Sequence, residues 1–177
     1  MKRKLTAQQL AAALDRLTKA VLAALPAEGP IAVIGIRTRG ETLAQRLVER
    51  LQAERPALHV DRGVLDITFY RDDLGIRQGA PLVRATEIDF DINDAWVLLV
   101  DDVLHTGRSI RAALDAIHDF GRPRLVRLAV LIDRAGRELP IAADFVGRNL
   151  SAPGPQRIQV LLKENDCKEG VFIIAQD

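Results

Sequence analysis

Apolar residues recur at helical spacing from Leu10 through Leu14, Leu17 and Val21 to Leu25, and Pro26 and Gly29 close the run. A Thr6-x-x-Gln9 pair of capping-box form precedes it. The pattern predicts an amphipathic first helix with Asp15, Arg16 and Lys19 on its solvated face. From Ile31 to Ile36 the period breaks into a short, β-branched apolar run, the mark of a buried strand. That run leads through Arg37-Thr38-Arg39-Gly40 into a second helical pattern, Leu43, Leu47, Val48 and Leu51, which ends before Pro56. The same succession returns later: Trp96 to Val100 as a strand, Asp101 to Gly107 as a loop, then a helix through Ile110, Ala113, Leu114 and Ile117, with Gly121 placed to cap it. Two strand-loop-helix units predict a central, mostly parallel sheet flanked by helices, an α/β fold.

Further strands are predicted at Val64–Tyr70, Leu125–Ile132, Phe145–Val146, Ile158–Leu162 and Val171–Ala175. Between them, Arg71 to Asp91 holds Gly75, Gly79 and Pro81, many charges and no period. Connections of this length inside a compact domain are uncommon and are either functional or mobile. No repeat, low-complexity tract or linker divides the chain, so residues 1–177 are expected to form one domain.

Composition narrows the setting. With 48% hydrophobic and 28% charged residues in 177, the chain has the balance of a globular core under a solvated surface. Its single cysteine, Cys167, excludes an internal disulfide. The basic start MKRK is like a signal-peptide n-region, but Asp15, Arg16 and Lys19 interrupt what would have to be an apolar stretch. No apolar run reaches the roughly 18 residues of a membrane span. A cytoplasmic protein with no membrane partner is therefore expected. Basic and acidic residues nearly cancel, 25 against 24, so nucleic-acid binding would have to rest on a local patch.

The candidate chemistry lies where strand Val97–Val100 runs into Asp101 and Asp102 and a Thr106-Gly107-Arg108-Ser109 turn opens the next helix. Ligands of open parallel sheets collect at the carboxyl ends of strands. A glycine turn flanked by hydroxyls at a helix N-terminus gathers backbone N–H groups around a phosphate. Carboxylates aimed at that phosphate would repel it. Pointing beside it, they suit the two hydroxyls of a ribose whose 5′-phosphate sits in the turn, each charged hydrogen bond worth about 1.5–3 kcal/mol. Taken singly, each residue also fits a solvated loop and an ordinary helix cap. Arg37, Arg39 and the following helix start make a second candidate anion site.

The segment WVLLVDDVLHTGRSI resembles the phosphoribosyl pyrophosphate (PRPP) motif of type I phosphoribosyltransferases. GIRTRG (Gly35 to Gly40), DITFYRDDL (Asp66 to Leu74), DDVLHTGRSIRAALDAI (Asp101 to Ile117), GRP (Gly121 to Pro123) and DRAGRELPIAADFVGRN (Asp133 to Asn149) together resemble the PyrR family. Its members regulate pyrimidine operons by attenuation and have uracil phosphoribosyltransferase activity. The resemblance implies that Asp101, Asp102, Val103, Leu104, His105, Thr106, Gly107, Arg108 and Ser109 bind PRPP, with Thr38 and Arg39 at its pyrophosphate. It implies a flexible β-flap over about 66–92 in which Arg71, with Asp72 and Asp73, closes on the leaving group, and a small hood over about 133–177 in which groups near Arg134 and Val160 read uracil. Mg²⁺ would arrive with PRPP, held by substrate oxygens and water and by no protein ligand directly. UMP is the implied product and effector.

The resemblance also implies a dimer or tetramer and binding of pyrimidine-operon leader mRNA, for which Arg16, Lys19, Thr38, Arg137 and Arg148 are the candidates. The chain departs from the family at two of its RNA-facing places: Gly136 stands where a histidine commonly precedes Arg-Glu-Leu-Pro, and Asp15 stands where threonine is common. A carboxylate on a phosphate-facing helix opposes RNA. A nucleotide-sensing RNA-binding regulator with weak catalysis, a phosphoribosyltransferase without RNA binding, and a transferase for another base remain as alternatives.

Overall fold

The computed structural model describes residues 1–72, 84–152 and 156–175. In chain order its elements are β1 (Lys2–Leu5), α1 (Ala7–Ala24), β2 (Ile31–Ile36), α2 (Arg39–Glu54), β3 (Asp61–Leu65), β4 (Trp96–Leu104), α3 (Arg108–Ile117), β5 (Leu125–Arg134), β6 (Phe145–Leu150), β7 (Gln156–Leu161), α4 (Lys163–Asp166) and β8 (Gly170–Ala175). The first helix starts where the capping box placed it: Gln9 N–H donates to Thr6 Oγ1 at 3.2 Å, and Thr6 N–H donates to Gln9 Oε1 at 3.0 Å.

Strands β3, β2, β4, β5 and β6 form a parallel sheet in that order. Alternation along β2 and β4 divides the core. Val33, Leu98 and Val100 face α1 and α2, whereas Ala32, Ile34, Val97 and Leu99 face α3. Each leucine or isoleucine buried completely in these layers, such as Leu47, Leu51 and Leu98, contributes about 1.5–3 kcal/mol. A second, antiparallel sheet, β1-β8-β7, lies beyond α1 and shares its core through Leu5, Ile158, Val160, Val171 and Ile173. The helix α1 is thus covered on two sides, which explains why Leu10, Leu14 and Val21 are wholly buried.

Two sequence expectations are corrected. The strand expected over Val64–Tyr70 spans Asp61–Leu65 instead, because its partner β2 ends at Ile36, opposite Leu65. Beyond it, the Asp66 carboxylate accepts from Thr68 N–H at 2.7 Å and Arg84 N–H at 2.7 Å, bending the chain into a 3₁₀ turn, Thr68–Tyr70. Strand β4 does not stop at Val100. It continues through both acids to Leu104, since β5 offers Ile132 and Asp133 as partners for Val103 and Leu104. The basic start, for which the sequence pattern predicts no element, is a strand: Lys2 to Leu5 pair with β8.

Topology fixes where a ligand can sit. After β3, at one edge, the chain returns across β2 to form β4, so the loops leaving β2 and β4 open side by side at the switch point. Two glycines bring these ends into contact. A Cβ on Gly35 would lie 2.4 Å from the Gly40 carbonyl oxygen, and one on Gly40 would lie 2.4 Å from that of Val100. The first turn of α2 therefore rests directly on the ends of β2 and β4.

Candidate active site

Asp101 and Asp102 stand toward the carboxyl end of β4 with Arg71 and Arg39 beside them. Asp101 is 8% exposed and accepts the Asp102 N–H at 2.9 Å. Burial, and then the charge of Asp102, pushes the Asp101 carboxyl well above the ordinary aspartate range, although the Asp102 N–H and Arg71 oppose this. Asp102 is also raised by burial, but Arg39 and its own hydrogen bonds offset part of it. The pair therefore holds its protons more tightly than free aspartates do.

Five residues past Asp102, Gly107 takes φ +94° and turns the chain into α3. Thr106, Ser109 and the start of α3 border a small cavity of about 60 Å³ lined by residues 103–107, Ser109 and Ile110, and the Arg108 N–H donates to Thr106 Oγ1 at 3.4 Å. Thr106 O accepts from Glu138 N–H at 3.0 Å and Leu139 N–H at 3.1 Å, so the segment after β5 lies over this turn. A larger shallow groove of about 680 Å³ occupies the opposite end of the sheet, at Trp96, Leu125 and Phe145. It holds the Arg127–Asp144 ion pair and none of the acid-and-turn chemistry.

Cations border the acids from several elements. Arg71 Nη1 reaches Ser109 Oγ at 3.4 Å. Arg39 forms a two-point pair with Asp166, Nε to Oδ2 at 3.2 Å and Nη2 to Oδ1 at 2.7 Å. Arg37, read in the sequence as part of an anion site, points elsewhere: it binds Glu87 at 2.6 Å, Glu41 at 3.3 Å and the Ala85 carbonyl at 3.0 Å. It fastens the returning limb of the 66–92 segment. The Arg37–Thr38 peptide is cis, with Thr38 exposed at the start of α2. On the outgoing limb, Tyr70 OH donates to Asp119 and Arg108 bridges Asp72 at 2.6 Å and Glu138 at 2.8 Å. Asp73, Gly75, Gly79 and Pro81 lie outside the described residues.

His105 lies against Gly136. That glycine has φ +111°, and a Cβ on it would come within 2.8 Å of the His105 Nε2. Burial, followed by Arg134, lowers the His105 pKa, which keeps the ring neutral near pH 7. Arg134 is buried and donates to the Ala152 carbonyl at 3.4 Å. The Val160 side chain is fully buried in the core, leaving only its backbone to offer a ligand.

The RNA candidates do not share one surface. Arg16 donates to the Gly147 carbonyl at 3.0 Å, which places it beside the exposed Arg148 on β6. Lys19 is exposed on the same helix. Arg137 is turned inward, donating to the carbonyls of His105 at 2.7 Å, Arg134 at 2.8 Å and Ile141 at 2.9 Å as well as to Asp133. Asp15 meets Arg50 at 3.3 Å, which offsets its charge. The sequence reading missed the parts played by Asp166, Glu87 and Asp119, since a lone carboxylate far along the chain carries no signal of its partner.

The phosphoribosyl transferase domain family matches residues 3–156. A Bifunctional protein PyrR of Roseiflexus is 58% identical over 81% of this chain and 79% of its own length. The Bifunctional protein PyrR of Deinococcus radiodurans is 46% identical over 92% and 88% respectively. The chain belongs to the PyrR family. Solved structures agree on the fold alone: a Trypanosoma cruzi hypoxanthine phosphoribosyltransferase in a ternary substrates complex superposes with a TM-score of 0.74, covering 98% of this chain and 94% of that one at 16% identity. PyrR membership and this likeness establish the type I phosphoribosyltransferase fold expected from the sequence.

Proposed function

We propose that this PyrR-family chain transfers the phosphoribosyl group of PRPP to uracil, giving UMP and pyrophosphate, and that with UMP bound it regulates pyrimidine genes by binding their mRNA leader. The observation that carries the catalytic half is the acid pair in the last half of β4 followed, five residues on, by the Gly107 turn. The ribose 5′-phosphate would sit in that turn, and its two hydroxyls would donate to Asp101 and Asp102. As the anomeric C–N bond to uracil forms and the C–O bond to pyrophosphate breaks, positive charge develops on the ribose ring. The carboxylates beside it stabilise that charge, and Arg39 and Arg71 stabilise the departing pyrophosphate. Positioning supplies the rest, with no protein nucleophile. Uracil would be read by backbone near Arg134 and Val160.

Mg²⁺ would come as a companion of PRPP, held by pyrophosphate and ribose oxygens and water with no direct protein ligand, and would neutralise pyrophosphate charge. We read residues 66–92 as the flap and 133–177 as the hood of one domain, in a cytoplasmic homodimer or tetramer. Among the described residues no helix is long and apolar enough to cross a membrane. A transferase without RNA binding is the second reading, favoured by the inward commitment of Arg137. The deciding experiment measures uracil-dependent pyrophosphate release from PRPP together with binding of the pyrimidine-operon leader RNA, with and without UMP. Turnover with UMP-enhanced binding is expected. Turnover alone would establish the second reading, and absence of turnover with uracil would refute the catalytic assignment.

A further inference from the structure

We propose that Asp166, on α4, is the positioning residue that aims Arg39 at PRPP, an inference that rests on the phosphoribosyl-transfer reading above. Three contacts bind α4 and the turn after it to one face of α2: Arg39 with Asp166, Thr42 Oγ1 with Asn165 at 2.7 Å, and Arg46 with Glu164 at 2.6 Å and Glu169. Only the first ends beside the acid pair. The Asp166 carboxylate is itself fixed, because Oδ2 also accepts the Leu162 N–H at 2.9 Å, and it is 17% exposed. It grips Arg39 through Nε and Nη2, and among the described residues Nη1 has no acceptor. One edge of the guanidinium is thereby fixed while Nη1 remains available for an incoming oxygen anion.

Electrostatics give this arrangement its purpose. The charge of Arg39 acts on Asp102, one of the two carboxylates assigned to the ribose. Released from Asp166, the guanidinium would be drawn to that carboxylate, leaving both groups unavailable to PRPP. A fork held by a second, fixed carboxylate resists that collapse. Leu162 follows β7 directly, and β7 contains Val160, so the same anchor links the proposed base-reading strand to the pyrophosphate arginine.

The test is steady-state kinetics of Asp166→Asn in the full chain. The PRPP KM is expected to rise and kcat to fall, together lowering kcat/KM for PRPP by about 10²-fold, as misplacement of a group by an ångström does, with uracil KM within about twofold. In an Arg39→Lys background the same substitution is expected to add nothing, because both act through one guanidinium. Arg46→Met serves as the packing control, since it loosens α4 without touching Arg39. An unchanged PRPP KM in Asp166→Asn overturns the proposal, as does an equal rise in Arg46→Met. If wild type shows no uracil-dependent turnover, it is the functional reading that fails, and PRPP binding measured by calorimetry on the same variants then decides the role of Asp166 independently.

Discussion

Neighbouring aspartates on β4 make separate predictions. Replacing Asp102, which is partly exposed toward the proposed ribose, by Asn should abolish turnover and leave thermal unfolding nearly unchanged; a fully active variant would remove the ribose from its account. Asp101 is the buried member, and its folded pKa is raised. A carboxyl of this kind adds stability that is complete below its unfolded value, about 3.9, and is lost as pH rises through the folded value. Asp101→Asn should therefore raise the Tm of the ligand-free protein at pH 7, by about 2–4 °C for each kcal/mol of relieved burial. The gap should close near pH 4. Equal Tm values for both proteins across that range would contradict the assignment.

At the scale of elements, α2 and α4 are joined by a cation with two carboxylates, Arg46 with Glu164 and Glu169. Arg46 is 15% exposed, and Glu164 is 51% exposed, so the network is only partly shielded from water. Arg46→Met keeps the aliphatic stem and should cost about 1 kcal/mol, lowering Tm by roughly 2–4 °C. Added salt should narrow the difference, which differential scanning calorimetry at low and high ionic strength will measure. The legibility of elements followed their length and neighbours. Helix α1 and strand β2 declare themselves, since each buries one pattern over many residues. Strand β1 does not: three charged residues hide an edge strand whose only buried member is Leu5. Nor does α4, four residues long, which is too short to show a period. The run Ile67 to Tyr70 looked like a strand by composition, yet Phe69 is 70% exposed, because Asp66 turns the chain before it can pair. In the site, the acids and the glycine turn were legible because they are contiguous. Asp166 lies 127 positions from Arg39, and nothing local marks it.

On the scale of the whole molecule, the proposed RNA surface centres on Arg16, Lys19 and Arg148, with Thr38 at the mouth of the active site. Arg16→Gln combined with Lys19→Gln should weaken leader-RNA binding and flatten its salt dependence while leaving uracil turnover intact, as removal of phosphate contacts does. Filter binding at several salt concentrations provides the check, and parallel loss of both activities would point to misfolding. Another consequence follows from the pairing of β1 with β8, in which Lys2 lies opposite Ile173. Nearly the whole five-stranded sheet lies between these two strands in the sequence, so their pairing closes a very long loop. Contacts this far apart in sequence form late in folding, so α1, whose Leu10 and Leu14 share the core with that small sheet, is fully covered only once the sheet closes.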